Sequence, residues 1–214
     1  MKLMVTAGPT REPVDPVRFV SNRSSGKMGY AVAAAAQLRG HDVLLVSGPV
    51  AIKAPAGVEL IMVETADQMQ RAVMAGFNKV DALVMAAAVA DWRPAVVHVQ
   101  KQKKSSTSLT LPLEPVPDIL AQLAGIKGSR LVVGFAAETE NLLSEAQRKL
   151  SAKRLDMIVA NDVTAPDAGF EVDTNRVVLV WPDGSSRELP CMPKTDVAEY
   201  IIDWLEENLP ASAT

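Results

Sequence analysis

Six stretches of this chain are apolar almost throughout rather than at every second position. They fall at residues 3–7, 42–48, 58–64, 81–89, 131–137 and 157–162. A strand with one wet face alternates, whereas a strand covered on both faces does not. Helical signals lie between these runs. Residues 30–38 are Ala-rich and closed by Gly40. Thr65 stands as an N-cap ahead of Ala66, Met69, Ala72 and Val73 at helical spacing. Residues 117–123 open on Pro117-Asp118, residues 140–154 are rich in charge, and residues 195–209 are amphipathic. Residues 177–189 read as a hairpin about Pro182-Asp-Gly-Ser. Buried strands alternating with helices predict an α/β chain, Rossmann-like and doubly wound. Its sheet is mainly parallel with a mixed edge hairpin, and a mobile flap spans about 92–116. The chain reads as a single domain, residues 1–214.

The first two apolar runs are joined by an unusual segment. Gly8-Pro-Thr-Arg-Glu-Pro-Val-Asp-Pro-Val-Arg-Phe-Val-Ser-Asn-Arg-Ser-Ser-Gly-Lys-Met-Gly29 leads from the first strand into the first helix. A strand, a glycine, a polar loop and Ser-Ser-Gly-Lys at a helix start make the layout of a phosphate-binding unit. Helix N-termini carry unpaired N–H groups and partial positive charge, and Lys27 adds a full charge. The loop is not a Walker loop, nor does it have the close-set glycines of the dinucleotide fingerprint. Pro13 and Pro16 stiffen it, and loops this long are more often functional than passive.

In an open parallel sheet, ligands bind beyond the C-terminal ends of the strands. There the chain places Asn22, Ala86-Ala-Ala-Val-Ala-Asp91-Trp92, Phe135-Ala-Ala-Glu138-Thr139 and Asn161-Asp162. Lys101, Lys103, Lys104, Lys149, Lys153 and Arg154 supply the positive charge that a triphosphate needs. Taken singly, each has a plainer reading. Lys101 to Lys104 is a solvated run, Lys149 is an i,i+4 partner of Glu145, Phe135 is core, and Asp91 is a turn residue. No His/Cys cluster points to zinc. Asp91, Glu138 and Asp162 are the acidic groups placed to meet Mg²⁺ through nucleotide phosphates.

A net charge of −3 implies no general affinity for nucleic acid. A single cysteine, Cys191, excludes an internal disulfide, reads as structural and fits a reducing, cytoplasmic setting. No run of apolar residues is long enough to span a membrane. Only Lys2 follows Met1 before the first strand, which is no signal peptide and fits a chain cut from a longer one.

The Gly8 to Gly29 segment resembles the signature of phosphopantothenoylcysteine synthetases. Ala86 to Trp92, Lys101 with its following lysines, Pro117-Asp-Ile-Leu120, Val133 to Thr139 and Asp156 to Asp162 fall in that family's order. The likeness covers nearly the whole chain. It is to the synthetase domain of the bacterial bifunctional decarboxylase/synthetase, whose flavin-dependent decarboxylase half would precede it. The resemblance implies a reaction in which CTP activates 4′-phosphopantothenate as an acyl-cytidylate, releasing pyrophosphate. Cysteine then forms the amide and releases CMP. It implies Asn22 as the residue serving the acyl-cytidylate and Lys101 as the flap lysine. It further implies nucleotide contacts from Ser24, Ser25, Gly26, Met85, Ala86, Ala87, Asp91, Pro117, Asp118, Ile119, Leu120, Phe135, Lys149 and Lys153. Mg²⁺ is the implied cofactor, with Asp91 the candidate ligand, and the implied assembly is a homodimer. Two places depart from the family pattern: Pro115-Val116 stands for Lys-Asn, and Gln100-Lys-Gln-Lys-Lys for Glu-Lys-Ile-Lys-Lys. The competing readings are an NAD(P)-linked oxidoreductase and a non-catalytic nucleotide-binding module. The first would need close-set glycines and an acidic end to the second strand, where Ser47-Gly48 stands. The second would be favoured by loss of Asn22 or Lys101.

Overall fold

The computed structural model describes residues 1–104, 108–138, 141–162, 169 and 171–209. In chain order, β1 (Lys2–Ala7), β2 (Arg11–Pro13) and β3 (Phe19–Ser21) precede α1 (Lys27–Leu38). Then come β4 (Asp42–Ser47), β5 (Glu59–Met62), α2 (Ala66–Phe77), β6 (Ala82–Met85), β7 (Trp92–Pro94), β8 (Leu113–Pro115) and α3 (Ile119–Leu123). β9 (Leu131–Glu138), α4 (Leu142–Ala152) and β10 (Met157–Asp162) follow. The chain closes with β11 (Thr174–Asn175), β12 (Val177–Val180), β13 (Ser186–Glu188), β14 (Met192–Pro193) and α5 (Lys194–Asn208).

The central sheet has eight strands in the order β13-β12-β10-β9-β6-β1-β4-β5. From β5 to β10 every pair is parallel; β12 and β13 add an antiparallel hairpin at one edge. This is the expected doubly wound sheet with a mixed edge. Both faces are covered, which is why the strand sequences do not alternate. Leu3, Val5 and Ala7 of β1 pack with Val32 and Ala36 of α1 and Ile201 and Ile202 of α5. Met4, from the same strand, faces the other way into Met69, Val73 and Phe77 of α2 and Leu150 of α4.

Local signals account for the element ends. Thr65 caps α2 in a reciprocal capping box with Gln68. Gly184, at φ 86°, makes the β12–β13 turn within Pro182-Asp-Gly-Ser. Two expectations change. Residues 81–89 do not form one strand: β6 stops at Met85, and the alanine run turns out of the sheet. The Gly8 loop is not irregular throughout, because β2 and β3 pair within it as an antiparallel hairpin. The flap is rooted in a second small hairpin, β7 with β8; residues 105–107 of its Lys/Ser tract lie outside the described residues. Among the described residues, no helix is long and apolar enough to cross a membrane.

Candidate functional site: the crevice at the strand-order reversal

Strand order reverses between β1 and β6, so the segments leaving these two strands part and leave a crevice. A cleft of about 630 Å³ opens there, a size that suits a small-molecule ligand. Its floor is the alanine run after β6. The end of β1 and the segment after it hold that run in place. The Ala87 and Ala90 N–H groups donate to the buried hydroxyls of Thr6 and Thr10, at 3.1 and 3.0 Å. The Ala88 N–H donates to the Gly8 carbonyl, at 2.9 Å. These bonds replace the sheet ladder and explain why β6 ends early. Met85 (its sulfur accepting from the Thr6 hydroxyl), Ala86 and Ala87 all line the cleft.

One wall is the start of α1. Its N-cap, Gly26, has φ 80°, makes no side-chain cap, and is followed by no acidic residue in the first turn. The helix therefore offers its free N–H groups and its positive end without an internal anion. A Cβ on Gly29 would lie 2.6 Å from the Ala7 Cβ and 2.8 Å from the Thr6 carbonyl. Glycine there lets α1 begin against β1, at the mouth of the crevice. Ser24 and Gly26 line the cleft; Ser25 does not. Asn22, exposed at its edge, donates its amide nitrogen to the carbonyls of Ala88 and Val89, at 3.1 Å each. That leaves its Oδ1 as an acceptor for an incoming N–H group.

The opposite wall comes from α3 and α4. Pro117, Asp118, Ile119 and Leu120 line it, as do Lys149 and Lys153. The side chains of Ile119 and Leu120 are also core. Asp118 caps α3 through the Ala121 N–H and pairs with Lys153 at 3.0 Å. Burial works to raise its carboxyl, but the helix N–H groups and Lys153 outweigh it and hold the pKa below the usual range. Glu145 pairs with Arg148, at 2.8 Å. Phe135 is half-buried, with one side against the core and the other on the cleft. Asp91 is exposed on the cleft, and its carbonyl accepts from the Val116 N–H. Lys101 lies on the flap and does not line the cleft.

A third side was only half legible in the sequence, which placed Asn161 and Lys27 at the site but not Asn175 or Lys194. Asn161, Asn175, Lys27 and Lys194 border the cleft. Lys194 opens α5, yet is only 6% exposed. Its ammonium donates to the carbonyls of Gly169 and Val172. Burial, aided by nearby Lys27, pushes its pKa below the ordinary lysine value, against the pull of Asp173. Lys27 itself pairs with Asp173 at 2.6 Å. The one available signal was a lysine at the start of a helix, where the dipole disfavours it. The side chains of Glu138 and Asp162 lie outside the described residues. No group of three or more His, Cys, Asp or Glu among the described residues could hold a metal by itself. Of the two carboxylates lining the cleft, Asp118 is paired with Lys153, and Asp91 suits Mg²⁺, which binds through one or two carboxylates plus substrate phosphates. Ser47, at the end of β4, accepts from the buried Tyr30 hydroxyl and donates to the Gly48 carbonyl. It offers no carboxylate for the ribose of a dinucleotide.

Residues 1–209 match the model of the DNA/pantothenate metabolism flavoprotein C-terminal domain. The chain belongs to this family. Among its relatives are two proteins described as coenzyme A biosynthesis bifunctional protein CoaBC. The one from Bacillus subtilis (strain 168) is 48% identical, covering 94% of this chain and 50% of its own length. The one from Escherichia coli (strain K12) is 47% identical, covering 95% of this chain and 51% of its own length. The chain thus spans about half the length of these curated relatives. A crystal structure of the C-terminal domain of CoaBC superimposes with a TM-score of 0.82 at 43% identity, covering 96% of this chain and 94% of that one. The family's fold is therefore the fold of this chain.

Proposed function

We propose that this chain is a CTP-dependent phosphopantothenate–cysteine ligase of coenzyme A biosynthesis, the synthetase half of a protein whose other half is a flavin-dependent decarboxylase. The observation that carries the reading is the cleft itself. An uncapped helix start, a lysine-bearing wall and an asparagine oriented by two backbone carbonyls meet over a floor of alanines, in a chain of this family.

The chemistry follows from these groups. A carboxylate is a poor acyl donor until its oxygen becomes part of a good leaving group. The carboxylate of 4′-phosphopantothenate attacks the α-phosphorus of CTP, and the bond to pyrophosphate breaks. The N–H groups at the start of α1, together with Lys149 and Lys153, offset the charge that builds on the phosphates. Phe135 offers an apolar face to the base or ribose, and the Pro117 to Leu120 lip closes the far side. Mg²⁺, held by Asp91 and the nucleotide's own phosphates, would supply further charge neutralisation. Lys101 enters with the flap as it closes over the phosphates. In the second step the cysteine amine attacks the acyl carbon and CMP leaves. With its nitrogen engaged by Ala88 and Val89, Asn22 uses Oδ1 to accept from that amine and orient it.

The working unit in this reading is a cytoplasmic homodimer. Val17, Phe19, Trp92, Val96, Val97 and Val99 are exposed apolar groups on the two small hairpins and the flap. An apolar surface of this kind suits a partner copy.

The test is pyrophosphate release from CTP with 4′-phosphopantothenate and Mg²⁺, with and without cysteine, for the parent and for Asn22→Asp. The parent should turn over only with cysteine. In Asn22→Asp a carboxylate faces two carbonyl oxygens now 3.1 Å from the amide nitrogen. It should still release one equivalent of pyrophosphate, with amide formation down by about 10²-fold or more. Release with ATP and none with CTP would overturn the nucleotide assignment. Silence with both would overturn the ligase reading.

A further inference from the structure

The hairpin that leads to Asn22 and the flap that carries Lys101 are fastened together at one point away from the cleft. Among the described residues, three bonds make the fastening. The His98 N–H donates to the Val14 carbonyl, at 3.0 Å. The Gln102 N–H donates to Oδ2 of Asp15, at 3.1 Å. The Gln102 carbonyl accepts from the Arg18 guanidinium, at 2.7 Å. Asp15 is the centre of this arrangement, and its side chain has no exposed surface. Its Oδ1 accepts from the Val17 and Arg18 N–H groups, at 2.9 Å each, which is all that the hairpin turn requires. Its Oδ2 accepts from Arg18 Nε at 3.0 Å, from Arg18 Nη2 and from the flap. A buried carboxylate is costly unless its lone pairs are filled, and here half of them are filled by groups that the turn alone does not need. Neither Asp15 nor Gln102 lines the cleft.

We propose that Asp15 is a positioning residue for the activation step: with Arg18 it latches the root of the flap at Gln102, and so sets where the adjacent Lys101 stands relative to the Asn22 hairpin. The proposal rests on the ligase reading for its catalytic consequence and on the hydrogen bonds alone for the latch. A displaced flap root shifts Lys101 without altering the nucleotide's other contacts. The loss therefore falls on kcat rather than on KM for CTP.

Two variants test it. Asp15→Asn keeps the shape but removes the charge and turns an acceptor into a donor against Gln102 or Arg18. Gln102→Pro deletes the flap's N–H and also restricts the backbone of Lys101, while leaving Asp15, Arg18 and the folded body intact; Asp15→Asn carries no such restriction, so the loss must appear in both. Both should speed trypsin cleavage after Lys103 and Lys104; the bond after Lys101 is no readout in Gln102→Pro, because trypsin does not cut before proline. Both should also lower kcat for pyrophosphate release by about tenfold to a hundredfold, with KM for CTP within about twofold of the parent. Because the latch acts through Lys101, adding Gln102→Pro to Lys101→Ala should cost no more than Lys101→Ala alone. Unchanged cleavage in Gln102→Pro would overturn the latch. Faster cleavage with parental kcat, or fully additive losses in the double variant, would overturn its role in positioning Lys101. A parent that releases no pyrophosphate would sink the ligase reading, while the cleavage rates would still decide whether the latch exists.

Discussion

Two successive segments after β1 reach the cleft and are held by opposite physics. The start of α1 is seated by the absence of side chains: Gly29 sits where a Cβ would be 2.6 Å from Ala7, and the helix rests on the strand itself. The β2–β3 hairpin is seated by buried charge. Glu12, only 3% exposed, accepts from the Ala66 N–H at the start of α2, at 2.8 Å, and Asp15 gathers the turn and the flap. A contact made by close approach tolerates no added volume but ignores pH. A contact made by carboxylates tolerates some change of volume but depends on ionisation. The α1 wall of the cleft is thus built rigid, and the segment carrying Asn22 is built on buried carboxylates.

The comparison breaks most readily at Gly29. Gly29→Val should cost about 3 kcal/mol or more by overpacking, seen as a large fall in Tm and loss of nucleotide binding. Stability within 1 kcal/mol of the parent would show that α1 is not seated by volume. Glu12→Ala should cost about 1–3 kcal/mol by leaving the Ala66 N–H unpaired. Faster hydrogen exchange should appear at the hairpin and at the first turn of α2, and not in α1.

Acid should separate the two segments further. The Arg18 guanidinium, helped by the N–H groups of Val17, Gln102 and Arg18, holds the Asp15 carboxyl well below the usual carboxylate range, against the effect of burial. A folded pKa below the unfolded one means stability fully present above about pH 3.9 and lost as pH falls through the folded value. Exchange protection at Gln102 should therefore fade below about pH 3.9 before that of α1; simultaneous loss would contradict the division. The smallest effect is expected at Lys153→Ala, on the wall opposite both segments. Its pairing with Asp118 is partly exposed, so stability should change by about 0–1 kcal/mol. KM for CTP should nevertheless rise several-fold, because Lys153 lines the cleft.

Much of the frame was legible before any coordinates. Continuous apolar runs marked the strands, Thr65 marked the start of α2, and Pro182-Asp-Gly-Ser marked the edge hairpin. Local chemistry suffices there, because each signal acts within a few residues of itself. The β2–β3 hairpin was hidden because its strands are three residues each and carry charge and proline. The end of β6 was hidden for a different reason. The alanines after Met85 read as more strand, and it is the hydroxyls of Thr6 and Thr10, with the Gly8 carbonyl, that turn them away. Lys194 drew no notice because nothing in its neighbourhood says that the carbonyls of Gly169 and Val172 will close over it.

The sequence by itself determined the class of fold, the strand-end location of the site, the polar residues placed there and the family signature. These depend on apolar patterning, on short-range capping and turn chemistry, and on the identity of residues in order. Only the tertiary structure decided which way the Asn22 amide faces, that Asp118 and Lys153 pair, that Lys194 joins the wall, and that Lys101 lies off the cleft while the backbone beside it is tied to Asp15. Those outcomes rest on hydrogen bonds and ion pairs between residues remote in the chain. A hydrogen bond's strength depends on distances of a few tenths of an ångström and on angle, quantities that residue order does not contain.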